Sequence, residues 1–410
     1  MVHRAKIKPL ICAAVLLLAG SLMGSGIPGA HASDEPIKVG APIPITGPFA
    51  SDGFVMEKAE KLAIADLNAQ GGLLGRQIEM IVYDIGDLTP DKLQAAALNL
   101  VEQEEVHVLI NGYGGMGPDI PAFCPYDVPY LHVDGPEYVI NLAEQMGCKN
   151  IYMFIDTAAN YGGITFRQLT EMGHEFSSNK LAIIQGPFDW EIEMTGGAIA
   201  AAEELGWEVV LTEQVDFGIS EWGPILSKLH EAEPALIYSE FLDPAGVNAL
   251  VDQFNTNPVK GALLYVGYTG AVPAFNEVVS RGIADGVLGM TPSAHMPDEK
   301  GRAFVNRWRE AYDEDPAIGI AAEIYDQVMF WATAVEKVGS VDDYDAIHEE
   351  MRTMTYDGIT GKLTINDRHH VSSTDEAAPA QILQVQNSEL VTLMIGSNVI
   401  ADFMKPDWHD

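Results

Sequence analysis

At 410 residues the chain is longer than one hydrophobic core usually fills, so two domains are expected. It carries 23 Lys and Arg against 59 Asp and Glu, a net charge of −36. So acidic a surface repels nucleic acid and anionic lipid, which excludes both as partners, although it also suits a salty habitat.

Residues 1–32 read as a secretory signal peptide. Arg4, Lys6 and Lys8 give a basic start, 11–23 is an apolar run too short to span a bilayer, and Ala30-His31-Ala32 offers small residues for cleavage. Cys12 stands at the front of the run rather than after a Leu-Ala-Gly cleavage point, which argues against a lipid anchor. Cleavage near Ala32 leaves 20 bases against 59 acids, a net of −39, in a soluble, exported, periplasmic chain. Two cysteines remain, Cys124 and Cys148. They can pair in an oxidising compartment or persist as buried thiols, and the sequence leaves both open.

From 37 onward, strands and helices alternate. Residues 37–43 form a β-branched run ending near Gly47-Pro48, and 56–68 has helical apolar spacing closed by Gly71-Gly72. A strand at 78–83 comes next, then a helix opened by Thr89-Pro90 and running to 104. Strands are expected at 106–111, 130–133 and 151–155. A second series begins near 180, with strands at 181–184, 208–214, 235–238 and 262–266 and helices at 195–205, 222–231 and 245–254. Helices are then expected at 300–312 and 320–338; the second carries an apolar stripe that reads as core. Strands at 360–365, 381–385 and 389–393 end the pattern. Such alternation predicts an α/β fold of parallel sheets wound on both faces by helices. Two series imply two lobes, whose strand-end loops line one cleft.

The segments PITGPFASDG at 44–53 and AIADLNAQGGLLGRQIEMIVYD at 63–84 resemble the periplasmic solute-binding proteins of ATP-driven uptake systems for branched-chain amino acids, urea and short amides. NGYGGMG at 111–117, PYLHVDG at 129–135 and RGIADGVLGMTP at 281–292 add to the likeness, which covers 34–400. It implies the type I periplasmic-binding-protein architecture: two Rossmann-like lobes, three hinge crossings and a cleft that closes on solute. The crossings map near 157, 291 and 356, giving lobe 1 as 34–157 plus 292–355 and lobe 2 as 158–291 plus 356–410. The resemblance also implies an ABC permease as partner, no cofactor, and contact with the membrane only through the permease.

Carried over position by position, the family's pocket falls on Phe49 and Asp52, with Phe54 beside them, then on Tyr113, Gly114 and Gly115, and on Asp134, Gly135 and Glu137. The second lobe contributes Tyr161, Trp190, Glu240, Phe241, Tyr268 and Thr269. The amino-acid binders grip a carboxylate with Ser and Thr hydroxyls in the first lobe and an ammonium with a Glu in the second. Here the corresponding positions read Tyr113-Gly114-Gly115, Asp134-Gly135-Pro136 and Thr269, so the zwitterion clamp is missing at both ends. Aromatic rings and carboxylates suit a cationic, amine or amide solute, or a small aromatic one. Asp134 reads equally as a ligand contact or as a cap for the helix near Pro136.

An enzyme is the rival class. The chain has no Gly-x-Ser-x-Gly elbow, no phosphate loop ending in Lys-Ser/Thr and no Gly-x-Gly-x-x-Gly at the first turn. His369-His370 reads as a solvated loop rather than a metal site. The expectation is a non-enzymatic binder that hands its solute to a permease or, alternatively, presents it to a sensory receptor.

Overall fold

The computed structural model describes residues 35–409. The signal-peptide reading lies outside that range. The first sheet consists of β1 (Ile37–Ile43), β2 (Ile78–Asp84), β3 (Val108–Ile110), β4 (Tyr130–His132) and β5 (Ile151–Met153), all parallel, in the order β2-β1-β3-β4-β5. The second contains β6 (Lys180–Gln185), β7 (Glu208–Gln214), β8 (Leu236–Glu240), β9 (Leu263–Tyr265) and β10 (Leu288–Thr291), parallel in the order β7-β6-β8-β9-β10. A small antiparallel pair, β11 (Tyr356–Asp357) and β12 (Lys362–Leu363), stands apart. The second sheet is then extended beside β10 by the antiparallel strands β13 (Gln381–Gln386), β14 (Glu389–Ile395) and β15 (Asn398–Val399). Each parallel set reverses its winding once, between β1 and β3 and between β6 and β8. Those switch points are where such sheets leave a crevice.

The segment 63–84 shows why its sequence is so recognisable. Asn68, at the end of the helix Ala50–Ala69, donates its side-chain N–H to the Ile78 carbonyl and accepts the Ile78 N–H, both at 2.8 Å, which fixes the helix end to the start of β2. Gly72 turns between them at φ +79°, and a Cβ there would lie 1.9 Å from the Arg76 carbonyl oxygen. Only glycine fits that passage. The same helix begins six residues earlier than its spacing predicts. Gly53 lies in its first turns because any Cβ would meet the Pro44 carbonyl oxygen at 2.0 Å, so a residue that reads as loop is helical by packing.

On one face of the first sheet, Ile37, Val39, Ala41 and Ile43 pack with the helices Ala50–Ala69, Glu299–Tyr312, Ile320–Val338 and Tyr344–Thr353. Ile359, Leu363, Ile365 and Val371 belong to this same core. The third crossing therefore does not fall near 356. The chain stays with the first lobe through 371 and enters the second sheet only at Gln381. The expected strand at 360–365 shrinks to the two residues of β12, because this segment covers a core rather than joining a sheet.

The crossings are tied together. Asp156 accepts hydrogen bonds from Thr157 N (2.7 Å), Asn160 Nδ2 (2.6 Å) and Ser373 N (2.8 Å), which joins the first crossing to the third. His369 and His370 form no solvated loop. The His369 carbonyl accepts Met153 N and the Met153 carbonyl accepts Val371 N, so this segment closes the open edge of β5. The His369 ring stacks on Tyr152 at 5.0 Å. Cys124 and Cys148 form a disulfide within the first lobe. Among the described residues no helix is long and apolar enough to cross a membrane.

Candidate ligand-binding cleft

A cavity of about 80 Å³ lies between the carboxyl ends of the two sheets. The loop after β1 brings Pro48 and Phe49, and the first helical turn beyond it brings Ser51 and Asp52. The turn after β3 adds Gly112, Tyr113 and Met116, the end of β4 adds Val133 and Asp134, and Ile155 lies just past β5. The second lobe supplies Trp190 from the start of the helix Asp189–Glu204, Leu242 and Pro244 after β8, and Tyr268, Thr269 and Val272 after β9. Pro292 comes directly after β10, and Ile320 and Glu323 come from the first turn of the helix Ile320–Val338.

Burial shapes the electrostatics. Asp52 is 3% exposed, and burial pushes its carboxyl up to about 7 although the Ser51 hydroxyl, 3.4 Å away, opposes the shift. The Tyr113 hydroxyl donates to Asp52 Oδ2, and its ring meets Phe49 edge-on at 5.6 Å. Glu323 is pushed up to about 8 by burial alone, and its Oε1 has no partner. Asp134 is raised well above the carboxylate range by burial and by the neighbouring acid Asp119. Gly117 N donates to both acids, to Asp119 Oδ1 and Asp134 Oδ2, each at 3.1 Å. Asp134 is thus a clamp on the loop 112–117 as well as part of the cavity wall. It does not cap the next helix, whose N-cap is Pro136 with no side-chain bond. No Lys, Arg or His is among the described residues on this wall.

Of the positions expected from sequence, the structure brings Phe49, Asp52, Tyr113, Asp134, Trp190, Tyr268 and Thr269 to the cavity. It places the others elsewhere. Gly114 and Gly115 pack behind the wall, where a Cβ would strike Asp134 at 2.6 Å and Leu93 at 2.6 Å. Gly135 lies under the Trp190 ring, 2.8 Å from a would-be Cβ. Glu137 is drawn off to Arg368 at 2.7 Å, and Phe54 is exposed. Tyr161 is core, its hydroxyl donating to the Ala378 carbonyl at 3.0 Å. Glu240 is buried beneath the second sheet's loops, accepting the Tyr265 hydroxyl at 2.7 Å, and Phe241 packs against Trp222.

Glu323 is the main residue that sequence reasoning missed. It stands on the helix whose apolar stripe reads as core. The available signal was a polar pair, Glu323 and Gln327, one turn apart on that buried face. A larger recess of about 490 Å³ lies at the outer edge of the first sheet, lined by Met153, His348 and Arg368 among others. It is not between the lobes, and its Arg368 is already bound to Glu144 at 2.8 Å and to Glu137 at 2.7 Å.

A two-lobed α/β molecule with its cavity between two switch points is the architecture the sequence resemblance implies, and a family model described as periplasmic binding protein matches residues 36–389. The chain belongs to that family. The leucine-, isoleucine-, valine-, threonine- and alanine-binding protein of Pseudomonas aeruginosa is 22% identical over 341 residues, 83% of this chain and 88% of the relative. A Silicibacter pomeroyi structure assigned to a branched-chain amino acid ABC transporter is 25% identical with a TM-score of 0.82, covering 91% of this chain and all of its own. The fold is shared with a solute-binding protein from R. palustris solved with benzoate, 18% identical, TM-score 0.74, covering 90% of this chain and 98% of its own. The protein is a solute-binding protein of the ABC-transport type, a family without enzymatic activity.

Proposed function

We propose that the protein is exported, is cleaved near Ala32, captures an amine, amide or amino-acid-like solute in the interlobe cleft, and delivers it to an ABC permease. One observation carries the choice of solute: Asp52, Asp134 and Glu323 share a wall with Phe49, Tyr113, Trp190 and Tyr268, and no basic side chain joins them. A ring face attracts a cation by about 0.5–2 kcal/mol. A carboxylate solute finds no basic side chain on that wall, among the described residues, to neutralise it in a partly dry site. A small aromatic solute is the second reading, favoured by the four rings on the wall.

The test is a thermal-shift screen of the mature protein against amines, amides, amino acids and aromatic acids. A ligand at a hundred times its Kd adds about 2.7 kcal/mol of stability. Amines or amides are expected to lead the ranking, and Trp190→Ala to weaken the best of them about tenfold, the loss of one stacking ring. A ranking led by aromatic acids would sink the reading. N-terminal sequencing of the exported protein should begin at Ser33.

A further inference from the structure

Asp52 and Glu323 stand in the first turns of two helices, Ala50–Ala69 and Ile320–Val338, that pack along one another. Both line the cavity, as does Tyr268. Asp52 is 3% exposed and Glu323 6%. Asp52 is partly answered by the Tyr113 and Ser51 hydroxyls. Glu323 is not answered: its Oε1 is closed off from solvent with no hydrogen-bond partner. A helix N-terminus eases a carboxylate only modestly. A buried acceptor left without a donor costs more than that easing supplies.

The missing donors must come from what enters. A quaternary ammonium brings charge but no N–H. An amide brings N–H groups together with a carbonyl, which would face acids here. A carboxylate brings acceptors and a negative charge that no basic side chain on this wall, among the described residues, neutralises. A protonated amine offers two or three N–H groups around one positive centre and can reach two carboxylates at once.

We propose that Asp52 and Glu323 form a two-carboxylate seat for the protonated amine head of the solute, and that Glu323 is the residue that selects it. The assignment rests on the amine or amide reading of the cleft and narrows it. Tyr113 and Tyr268 line the same cavity beside these acids. The seat draws on elements far apart in the chain, 52 and 323, so it exists only when the helix Ile320–Val338 lies against the helix Ala50–Ala69.

Four probes that share a phenyl ring and differ in the head group test this on the mature protein by calorimetry at constant pH: benzylamine, benzamide, benzyltrimethylammonium and benzoate. Benzylamine should bind about tenfold tighter than the other three, the worth of one buried charge-assisted hydrogen bond. Glu323→Gln keeps the shape of the neutral acid and should remove that preference, weakening benzylamine about tenfold while moving benzamide less than about twofold. Glu323→Asp, which draws the carboxylate back by one methylene, should weaken benzylamine in the same selective way and serves if the Gln variant does not fold. Benzamide or benzyltrimethylammonium matching benzylamine overturns the seat but leaves the broader amine or amide reading standing. Benzoate binding tightest overturns both. A benzylamine preference that survives both Glu323 substitutions overturns the assignment to Glu323, and so does binding of none of the four probes.

Discussion

The two lobes both bury acids at their switch points but use them differently. In the second lobe, Glu191 spends its oxygens on the protein: Oε2 accepts Phe188 N at 2.7 Å and Oε1 accepts Leu242 N at 2.6 Å, tying the loops after β6 and β8 together. Glu240 Oε1 accepts the Tyr265 hydroxyl beneath the same loops, while its Oε2 is buried without a partner. In the first lobe, Asp52 and Glu323 reach the cavity, and Glu323 keeps an oxygen that no protein group serves. Residue type and burial are alike in the two cases. What separates scaffold from ligand equipment is position: Asp52 and Glu323 line the cavity, whereas Glu191 and Glu240 lie behind it.

The sharpest way to break this contrast is Glu191→Ala. It leaves the Phe188 and Leu242 N–H groups without their acceptor, at about 1–3 kcal/mol each, so urea unfolding of the ligand-free protein should show a loss of several kcal/mol. The head-group ranking of the probes should stay the same. Unchanged stability with an altered ranking would place Glu191 with the ligand machinery instead.

A second prediction concerns pH. Asp52 and Glu191 titrate at about 7 and Glu240 and Glu323 at about 8, all raised by burial above ordinary values of 3.8 and 4.5. The folded state therefore holds protons that the unfolded chain has released, and this stability is complete below about pH 4 and is lost as pH rises through 7 to 8. Each raised unit is worth about 1.4 kcal/mol. The melting temperature of the ligand-free protein should fall between pH 5.5 and 8.5. Glu240→Gln should flatten that fall with or without an amine, whereas Glu323→Gln should flatten it only without one, because a bound ammonium already favours the ionised acid. A melting temperature that rises over this range would contradict the burial argument.

The smallest effect is expected at Asp134, which divides its role between the Gly117 N–H and the cavity. Asp134→Asn keeps an acceptor for Gly117 and removes the acid's ability to ionise beside a bound cation, so a cationic solute should weaken about threefold and a neutral amide not at all. Equal weakening of both would mean that Asp134 acts by holding the loop.

Much of the fold is legible in the sequence because parallel strands buried on both faces leave unbroken apolar runs, and because Asn68 and Gly72 have steric duties that few other residues could fill. The third crossing is not legible. Residues 356–380 carry Ile359, Leu363, Ile365 and Val371 without a period, and only packing assigns them to the first lobe. For the site, loop positions such as Tyr113 and Tyr268 are legible because they stand just past the carboxyl end of a strand. Glu240 ends β8 and Tyr161 stands in the first turn of the helix Ala158–Glu171, near the same edge, yet both turn inward, since such a position does not reveal which way a side chain points. Glu323 fails the loop rule altogether because it sits on a helix.

The three crossings have a consequence for how the molecule is made. The helices Glu299–Tyr312 and Ile320–Val338 complete the first lobe's core, yet they come after all five parallel strands of the second lobe in the chain. The second sheet in turn is finished only by β13 and β14. Neither half can close its core before nearly the whole polypeptide is present, so folding must wait on contacts distant in sequence and should be slow. Such a chain suits a route in which it is carried to its destination while still unfolded.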